Sequence, residues 1–312
     1  MRLIHRFEDA QLTEDSVVTI GSFDGVHRGH QALITKVREA ALNTNRAAVV
    51  MTFFPHPSVV LGRAEPFYLT SPEEKVVQIN QTGVDLMLQL PFTVETVQTR
   101  AADFVEQLTT HLRMRELWIG HDFALGYKRE GNAEFLTRLG EARGFSVHAV
   151  DPITNDGEVI SSSNIRAALR DGDVAHAARL LGRPFRFSGR VTPGDGRGRT
   201  IGIPTANLDV WPEHAVPANG VYACRAWIGH LPFAAAVNIG TRPTVTDAVR
   251  RTIEAHLLDF NKDIYGLNVV LDFVKRLRGE QKFSGVQELV AQIKQDIDRT
   301  RDATRELLTQ HV

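Results

Sequence analysis

Cysteine is nearly absent: Cys224 stands alone among 312 residues, so no disulfide can form within the chain and the fold must rest on its apolar core. That usage suits a reducing compartment, and the cytoplasm is the expected location. An excess of one charge sign is also missing. With 36 Lys and Arg against 37 Asp and Glu, no global field draws the protein onto nucleic acid or an anionic membrane, and neither is expected as a partner. Long apolar runs are lacking too. The opening stretch "MRLIHRFEDAQLTED" is broken by charges and has no secretory apolar core, so export is not expected, and no later run reaches membrane-spanning length. The chain contains no Walker-type G-x-x-x-x-G-K-[ST], and "GDGRGRTIG" misses the dinucleotide fingerprint. Repeats and low-complexity linkers are absent as well.

What is present is ordinary for a folded protein: 43% apolar and 23% charged residues, far from the composition of disordered or fibrous chains. The length exceeds one usual core, which makes two domains the first expectation and one large barrel its competitor.

In the first half, β-rich apolar runs alternate with helical patterns: "VVTIG", "HQALITKVREAAL", "RAAVVMTFF", "SPEEKVVQINQTG", "VDLMLQL", "AADFVEQLTTHL", "ELWIG", "EFLTRLGEARG" and "FSVHAVDPI". That order predicts a parallel α/β sheet. The texture changes near residues 183–188. Beyond it "RFSGRV", "GVYACRAWI", "FAAAVNIG", "RRTIEAHLLDF" and "NVVLDFVKRL" read as strands without intervening helices, which predicts an antiparallel barrel or sandwich. We therefore divide the chain into 1–184 and 185–312. The last stretch, from about residue 284, carries Val286, Leu289, Ile293 and Ile297 at helical spacing, which predicts a C-terminal helix packed on the second domain.

Residues 20–33, "IGSFDGVHRGHQAL", follow the first predicted strand, where ligands of parallel sheets gather. Gly21 and Gly25 let backbone approach a ligand, and the helix start that follows offers unpaired N–H groups to an anion. His27 and His30, three apart, can donate to the same phosphoryl oxygens. Capping histidines and a metal pair with Asp24 are the competing readings, although further zinc ligands at matched spacing are not nearby. A second stretch, "ISSSNIRAAL", places three hydroxyls before a helix that carries Arg166. Serines there cap a helix, and together with the arginine they also suit a polyphosphate. In "GRVTPGDGRGRTIGIPTANLDV", a glycine-arginine loop precedes Thr205 and Asn207; it reads as an ordinary hairpin loop or as a lid over phosphates.

"GSFDGVHRGH", "TFFPHP", "GHDFALG" and "SSSNIR", in that order, resemble the adenylyltransferase half of the bacterial bifunctional riboflavin kinase/FMN adenylyltransferases. "GIPTANL", "NGVY", "NIGTRPT", "IEAHLLDF" and "DFVKRLRGEQKF" resemble their riboflavin kinase domain. The resemblance implies a Rossmann-like nucleotidyltransferase domain followed by an antiparallel β-barrel kinase domain with a C-terminal helix. It implies ATP, riboflavin, FMN and FAD as small-molecule substrates and products, with Mg2+ as cofactor.

Carried over residue by residue, His27 and His30 act on the triphosphate, and Gly21, Phe23, Asp24 and Gly25 form the nucleotide loop. Ser161, Ser162, Ser163 and Arg166 hold the β- and γ-phosphates, and Asp122 lies beside nucleotide or flavin. Thr205 and Asn207 position Mg2+, with Gly202 and Pro204 in the same motif. Glu254 accepts the proton of the attacking ribityl hydroxyl, and Asn238 and Arg242 border the substrate. Ser163 replaces a common threonine and Leu125 a common aromatic; His56 orders its own loop on this reading. The rivals are a nucleotidyltransferase for another phosphate with a merely flavin-binding second domain, and a flavin-responsive binding or regulatory protein with inactive sites.

Overall fold

The structure, a computed structural model, describes every residue except 195, 197, 199, 200, 244–248 and 310–312, and at 242, 243, 249 and 250 it describes the backbone alone. The chain separates into two compact units, Met1–Ser162 and Ser163–Val312.

The first unit is built on six parallel strands: β1 (Arg2–Ile4), β2 (Ser16–Ile20), β3 (Ala47–Phe54), β4 (Leu86–Pro91), β5 (Met114–Gly120) and β8 (Ser146–Val150), ordered β1-β4-β3-β2-β5-β8. Helix α1 (Arg28–Thr44) follows β2, α2 (Pro57–Val60) and α3 (Pro72–Asn80) follow β3, α4 (Val94–Gln98) and α5 (Ala101–His111) follow β4, and α6 (Ala133–Arg143) precedes β8. Two short hairpins complete it, β6 (Ala124–Leu125) with β7 (Gly131–Asn132), and β9 (Thr154–Asn155) with β10 (Glu158–Val159).

Alternation along the strands explains why both faces are covered. Val18, Ile20, Val49 and Met51 pack with Phe104, Val105 and Leu108 of α5, while Val17, Ala48 and Val50 pack with Leu33, Ile34 and Val37 of α1 and Ile79 of α3. Every residue of β2 is buried, as a central parallel strand requires. Because β2 lies between β3 and β5, the chain leaves it first to one side and later crosses to the other, so the carboxyl end of β2 is a topological switch point, the place where ligands of parallel sheets gather. The loop from residue 21 to residue 27 starts there.

Sequence patterning located the long strands and helices of this unit but passed over β1, three residues too short and too charged to show a period, and the two hairpins.

The second unit contains nearly all of α7 (Ser162–Asp171), then α8 (Val174–Leu181) and strands β11 (Phe185–Thr192), β12 (Ala206–Val210), β13 (Gly220–Ile228), β14 (Leu231–Pro243), β15 (Val249–Leu257) and β16 (Asn268–Arg278). The six strands close into an antiparallel barrel, β11-β12-β15-β14-β13-β16, which decides between barrel and sandwich. Phe185 and Phe187 alternate inward on β11 and meet Phe273 at centroid distances of 6.0 and 5.0 Å.

On the outer wall, Arg186, Asp272 and Arg225 stand in register across β11, β16 and β13. The Asp272 carboxylate accepts from Arg186 Nε at 2.5 Å, Arg225 Nη2 at 2.9 Å and Trp227 Nε1 at 2.9 Å. Burial pushes this carboxyl up, but the three donors outweigh it and its pKa ends below the usual range. Removing one member of a buried pair strands the others: Asp272→Ala is expected to destabilise the barrel by about 3–5 kcal/mol, read from denaturant midpoints. Because the folded pKa is the depressed one, the wild-type contribution holds above the ordinary aspartate range and is lost as pH falls below it.

Helix α9 (Val286–Thr309) packs on β13 and β14, with Leu289, Ile293 and Ile297 of the expected stripe half-buried. Val286 is 60% exposed, and the buried residues are Asp296, Thr300 and Thr304. They can be buried because each is satisfied locally. Asp296 accepts from Arg278 Nη2 at 2.8 Å, and the hydroxyls of Thr300 and Thr304 bond back to the carbonyls of Asp296 and Thr300 at 2.7 and 2.8 Å. Of the expected four, Ile297 reaches the small apolar cluster of Ala234, Ala236 and Leu258.

Candidate active sites

The loop after β2 is held in an unusual backbone. Phe23, Gly25 and Val26 have φ of 46°, 81° and 38°, and such strain persists only where neighbours over-determine it. They do so here. The buried Asp24 carboxylate accepts from the amides of Leu69 and Thr70 at 3.0 and 3.3 Å, and Thr70 Oγ1 accepts from Gly25 N at 3.2 Å. Ser162 Oγ donates to the Asp24 carbonyl at 2.9 Å, and Gln31 Nε2 to the Val26 carbonyl at 2.8 Å. Asp24 thus shapes the loop, its carboxylate turned toward residues 69 and 70. Among the described residues no group of three or more His, Cys, Asp or Glu gathers to hold a metal.

His27 caps α1: its Nδ1 accepts from His30 N at 3.3 Å. A nitrogen that accepts carries no proton, so neutral His27 keeps its hydrogen on Nε2, the donor a phosphoryl oxygen needs. The two imidazoles stack at 3.6 Å with 17° between planes, and Phe23 meets His30 edge-on at 5.1 Å. Gly29 permits the stack, since a Cβ there would lie 3.2 Å from the His27 ring. His30 Nδ1 is buried without a hydrogen-bond partner. Burial, then repulsion from His27 whenever that ring is protonated and from Lys75, hold the His30 pKa well below its ordinary value. His30 is therefore a neutral donor at physiological pH.

Beside Gly21 and Ser22 lies a cavity of about 420 Å3 lined by Phe53, Phe92, Phe104, Phe123 and Leu125, with Lys128 and Arg129 also on its wall. Its apolar walls suit a flat ring. His56 also borders it and orders its own turn, with Nδ1 accepting from Ser58 N at 3.1 Å. Asp122 stands after β5 with its side chain 84% exposed, and its carbonyl accepts from Arg129 Nη2 at 2.8 Å. Ser161 precedes α7, and Ser163 and Arg166 lie on it, Ser163 exposed and Arg166 half-buried.

In the barrel, Asn207 of β12, Glu254 of β15 and Asn238 of β14 are direct cross-strand partners. Ile253 and Ala255, Ala206 and Leu208, and Val237 and Ile239 are all buried. By strand alternation the three polar residues between these pairs share the outer face, about 5 Å apart from strand to strand. Close backbone approach marks this place: a Cβ on Gly194 would run into the Asn207 amide, and one on Gly198 would lie 3.3 Å from Thr205 Oγ1. Gly202 takes φ of 75°.

His256, two residues beyond Glu254 on the same face, bonds the Pro204 carbonyl through Nδ1 at 2.8 Å, which fixes a proton on Nδ1 and anchors the segment before Thr205. A cavity of about 420 Å3 opens beside Thr205, lined by Pro204, Ala255, Leu257, Phe260 and Tyr265. The Arg242 backbone runs in β14; its side chain, like Asp195, Arg197, Arg199 and Thr200 of the glycine-arginine loop, lies outside the described residues.

Sequence reasoning missed Gly29, Lys75 and His256. Only His256 left a trace, the alternation Glu-x-His on a strand. Lys75, 3% exposed on α3, donates from Nζ to the Ser22 carbonyl at 2.8 Å, and lysine in a helical pattern normally reads as solvated.

A family model described as FAD synthetase matches residues 9–164, and one described as riboflavin kinase matches residues 181–304. The chain is 40% identical over 299 residues to the bifunctional riboflavin kinase/FMN adenylyltransferase of Escherichia coli (strain K12), covering 95% of each. It is 37% identical over 305 residues to the protein of that name from Bacillus subtilis (strain 168), covering 95% of this chain and 96% of the other. A crystal structure described as a macrolide-efflux protein from Streptococcus pneumoniae matches with a TM-score of 0.89 and 33% identity, over 96% of this chain and 98% of that one. Among the described residues no helix is long and apolar enough to cross a membrane.

Proposed function

Because the chain belongs to the bifunctional riboflavin kinase/FMN adenylyltransferase family, we propose that its two reactions run in the two sites just described. It phosphorylates riboflavin to FMN and adenylylates FMN to FAD, with ATP as the second substrate of both. The reading as a binding or regulatory protein with inactive sites has no support.

In the kinase site the carrying observation is the in-register row Asn207, Glu254 and Asn238. Glu254 takes the proton of the ribityl 5′-hydroxyl as that oxygen attacks the γ-phosphorus and ADP leaves. Asn238 and Arg242 border the substrate. Thr205 and Asn207 offer neutral oxygens beside glycine backbone that leaves room for phosphate, a donor set that fits a hard cation retaining several waters. They would hold Mg2+, which when bound neutralises phosphate charge. Asn207→Ala should raise the Mg2+ concentration for half-maximal FMN formation about ten-fold or more, read in a Mg2+ titration at saturating ATP. An unchanged titration would remove Asn207 from the ion.

In the adenylyltransferase site the FMN phosphate attacks the α-phosphorus and pyrophosphate leaves. This nucleophile is already an anion, so the site needs donors and no general base. His27 and His30 supply N–H groups, while Gly21, Phe23 and Gly25 shape a loop that brings backbone to the triphosphate. Ser161 and Ser162, with Ser163 and Arg166 next along α7, hold the outer phosphates. The flavin ring occupies the aromatic cavity, where Leu125 contributes apolar contact, and Asp122 stands nearby. Cys224 is a buried thiol with its pKa pushed up by burial, and a cytoplasmic setting suits both it and the bacterial relatives.

A further inference from the structure

We propose that Lys75 is a positioning residue for adenylyl transfer: its buried ammonium clamps the Ser22 carbonyl beneath the anion loop and supplies a fixed positive charge behind the His27–His30 stack. The inference rests on the adenylyltransferase reading of that loop and assigns a role to a residue on a different element.

Geometry comes first. Lys75 is 3% exposed and follows the capping box of Ser71 and Glu74, whose reciprocal bonds fix the start of α3. It occupies the same buried face as Ile79, one turn on, where an aliphatic side chain would cost nothing in desolvation. An ammonium there is expensive unless its charge and hydrogen bonds are used. One of them is. Nζ donates to Ser22 O at 2.8 Å, and Thr52 Oγ1 donates to the same oxygen at 3.0 Å. Two donors from two elements on one carbonyl pin the peptide that enters the strained turn at Phe23, Gly25 and Val26. The turn in turn sets Phe23 against His30.

Charge follows from position. Phe23 of the loop and His27 at the helix start lie against the His30 ring, and Lys75 of α3 acts on it through its charge. The Lys75 charge disfavours a proton on His30, so the imidazole stays a neutral N–H donor.

The test uses the full chain. Lys75→Met keeps the length and removes the charge; Lys75→Gln keeps a donor and removes the charge; Lys75→Arg keeps both charge and donors. FAD formation from supplied FMN is measured across pH 5–9 for kcat and KM for ATP, with riboflavin phosphorylation as the fold control. Lys75→Met is expected to lower kcat/KM for adenylylation by about 10–100-fold. The bend of its pH profile should move upward as His30 regains proton affinity, and phosphorylation should stay within about two-fold of wild type. Lys75→Arg should return the bend to its wild-type place, which a merely structural lysine would not require.

Wild-type kinetics and an unmoved bend in a folded Lys75→Met overturn the proposal. Should that variant fail to fold, the same result in Lys75→Gln overturns it. His30→Asn, run alongside, separates the two levels: if it too leaves adenylylation intact, the site reading fails; if it abolishes adenylylation while Lys75→Met is normal, only the role of Lys75 fails.

Discussion

Glu254→Gln is expected to reduce FMN formation by about 10²–10⁴-fold, the usual contribution of a positioned general base, while FAD formation from supplied FMN continues at the wild-type rate. Glutamine keeps the volume and the strand hydrogen bonds but cannot take a proton. The loss should therefore fall on kcat, with the KM for riboflavin little changed, and the melting temperature should hold. Strand register makes the prediction sharp: Glu254 lies between Asn207 and Asn238 on adjacent strands, at the centre of the polar row. Glu254→Asp, one methylene shorter, should recover part of the rate. Loss of both activities in a folded Glu254→Gln protein would refute separate sites.

Replacing His30 with alanine should do the reverse, lowering FAD formation by about 10²–10³-fold, the cost of one preorganised donor to a developing oxyanion, with phosphorylation of riboflavin retained. Removing the ring also deprives His27 of its stacking partner at 3.6 Å, although the backbone N–H that fixes the His27 tautomer remains. Part of the effect thus belongs to His27, and the double variant is expected to be less than additive. Because burial depresses the His30 pKa, the unfolded chain binds this proton more readily than the folded one. His30 therefore favours the folded state above the ordinary histidine range and costs stability as pH falls below it. His30→Ala should accordingly flatten the decline of the unfolding midpoint between about pH 6.5 and 5, the interval below the ordinary histidine pKa.

Much of this was legible in order of residues. The alternation of apolar runs with helical periods is local, and it predicted the strands on either side of β2 and hence a ligand site after "VVTIG". "GSFDGVHRGH" suggested an anion loop because such loops require glycine and a few donors within one short segment, whereas "GIPTANL" pointed to chemistry only through its resemblance to the riboflavin kinases. The loop at residues 21–30 does sit at the switch point, and its two histidines do come together.

Other residues read differently in three dimensions. Asp24 suggested a ligand by its company, but its carboxylate is turned to Leu69 and Thr70. The C-terminal helix keeps Leu289, Ile293 and Ile297 half-buried, yet the residues it buries fully are Asp296, Thr300 and Thr304, because their partners on β16 and along the helix satisfy them. β12 was hidden inside the "PTAN" motif: a five-residue strand with a proline and threonine before it shows no period long enough to count.

From residue order alone came the parallel-sheet domain, the run of antiparallel strands after it and the anion loop after β2, since each is written in neighbours no more than a few positions apart. Tertiary structure alone decided that Asn207, Glu254 and Asn238 share one face, that His256 holds Pro204 and that a lysine on α3 reaches Ser22. These depend on strand register and burial between segments far apart in the chain, which no local pattern encodes.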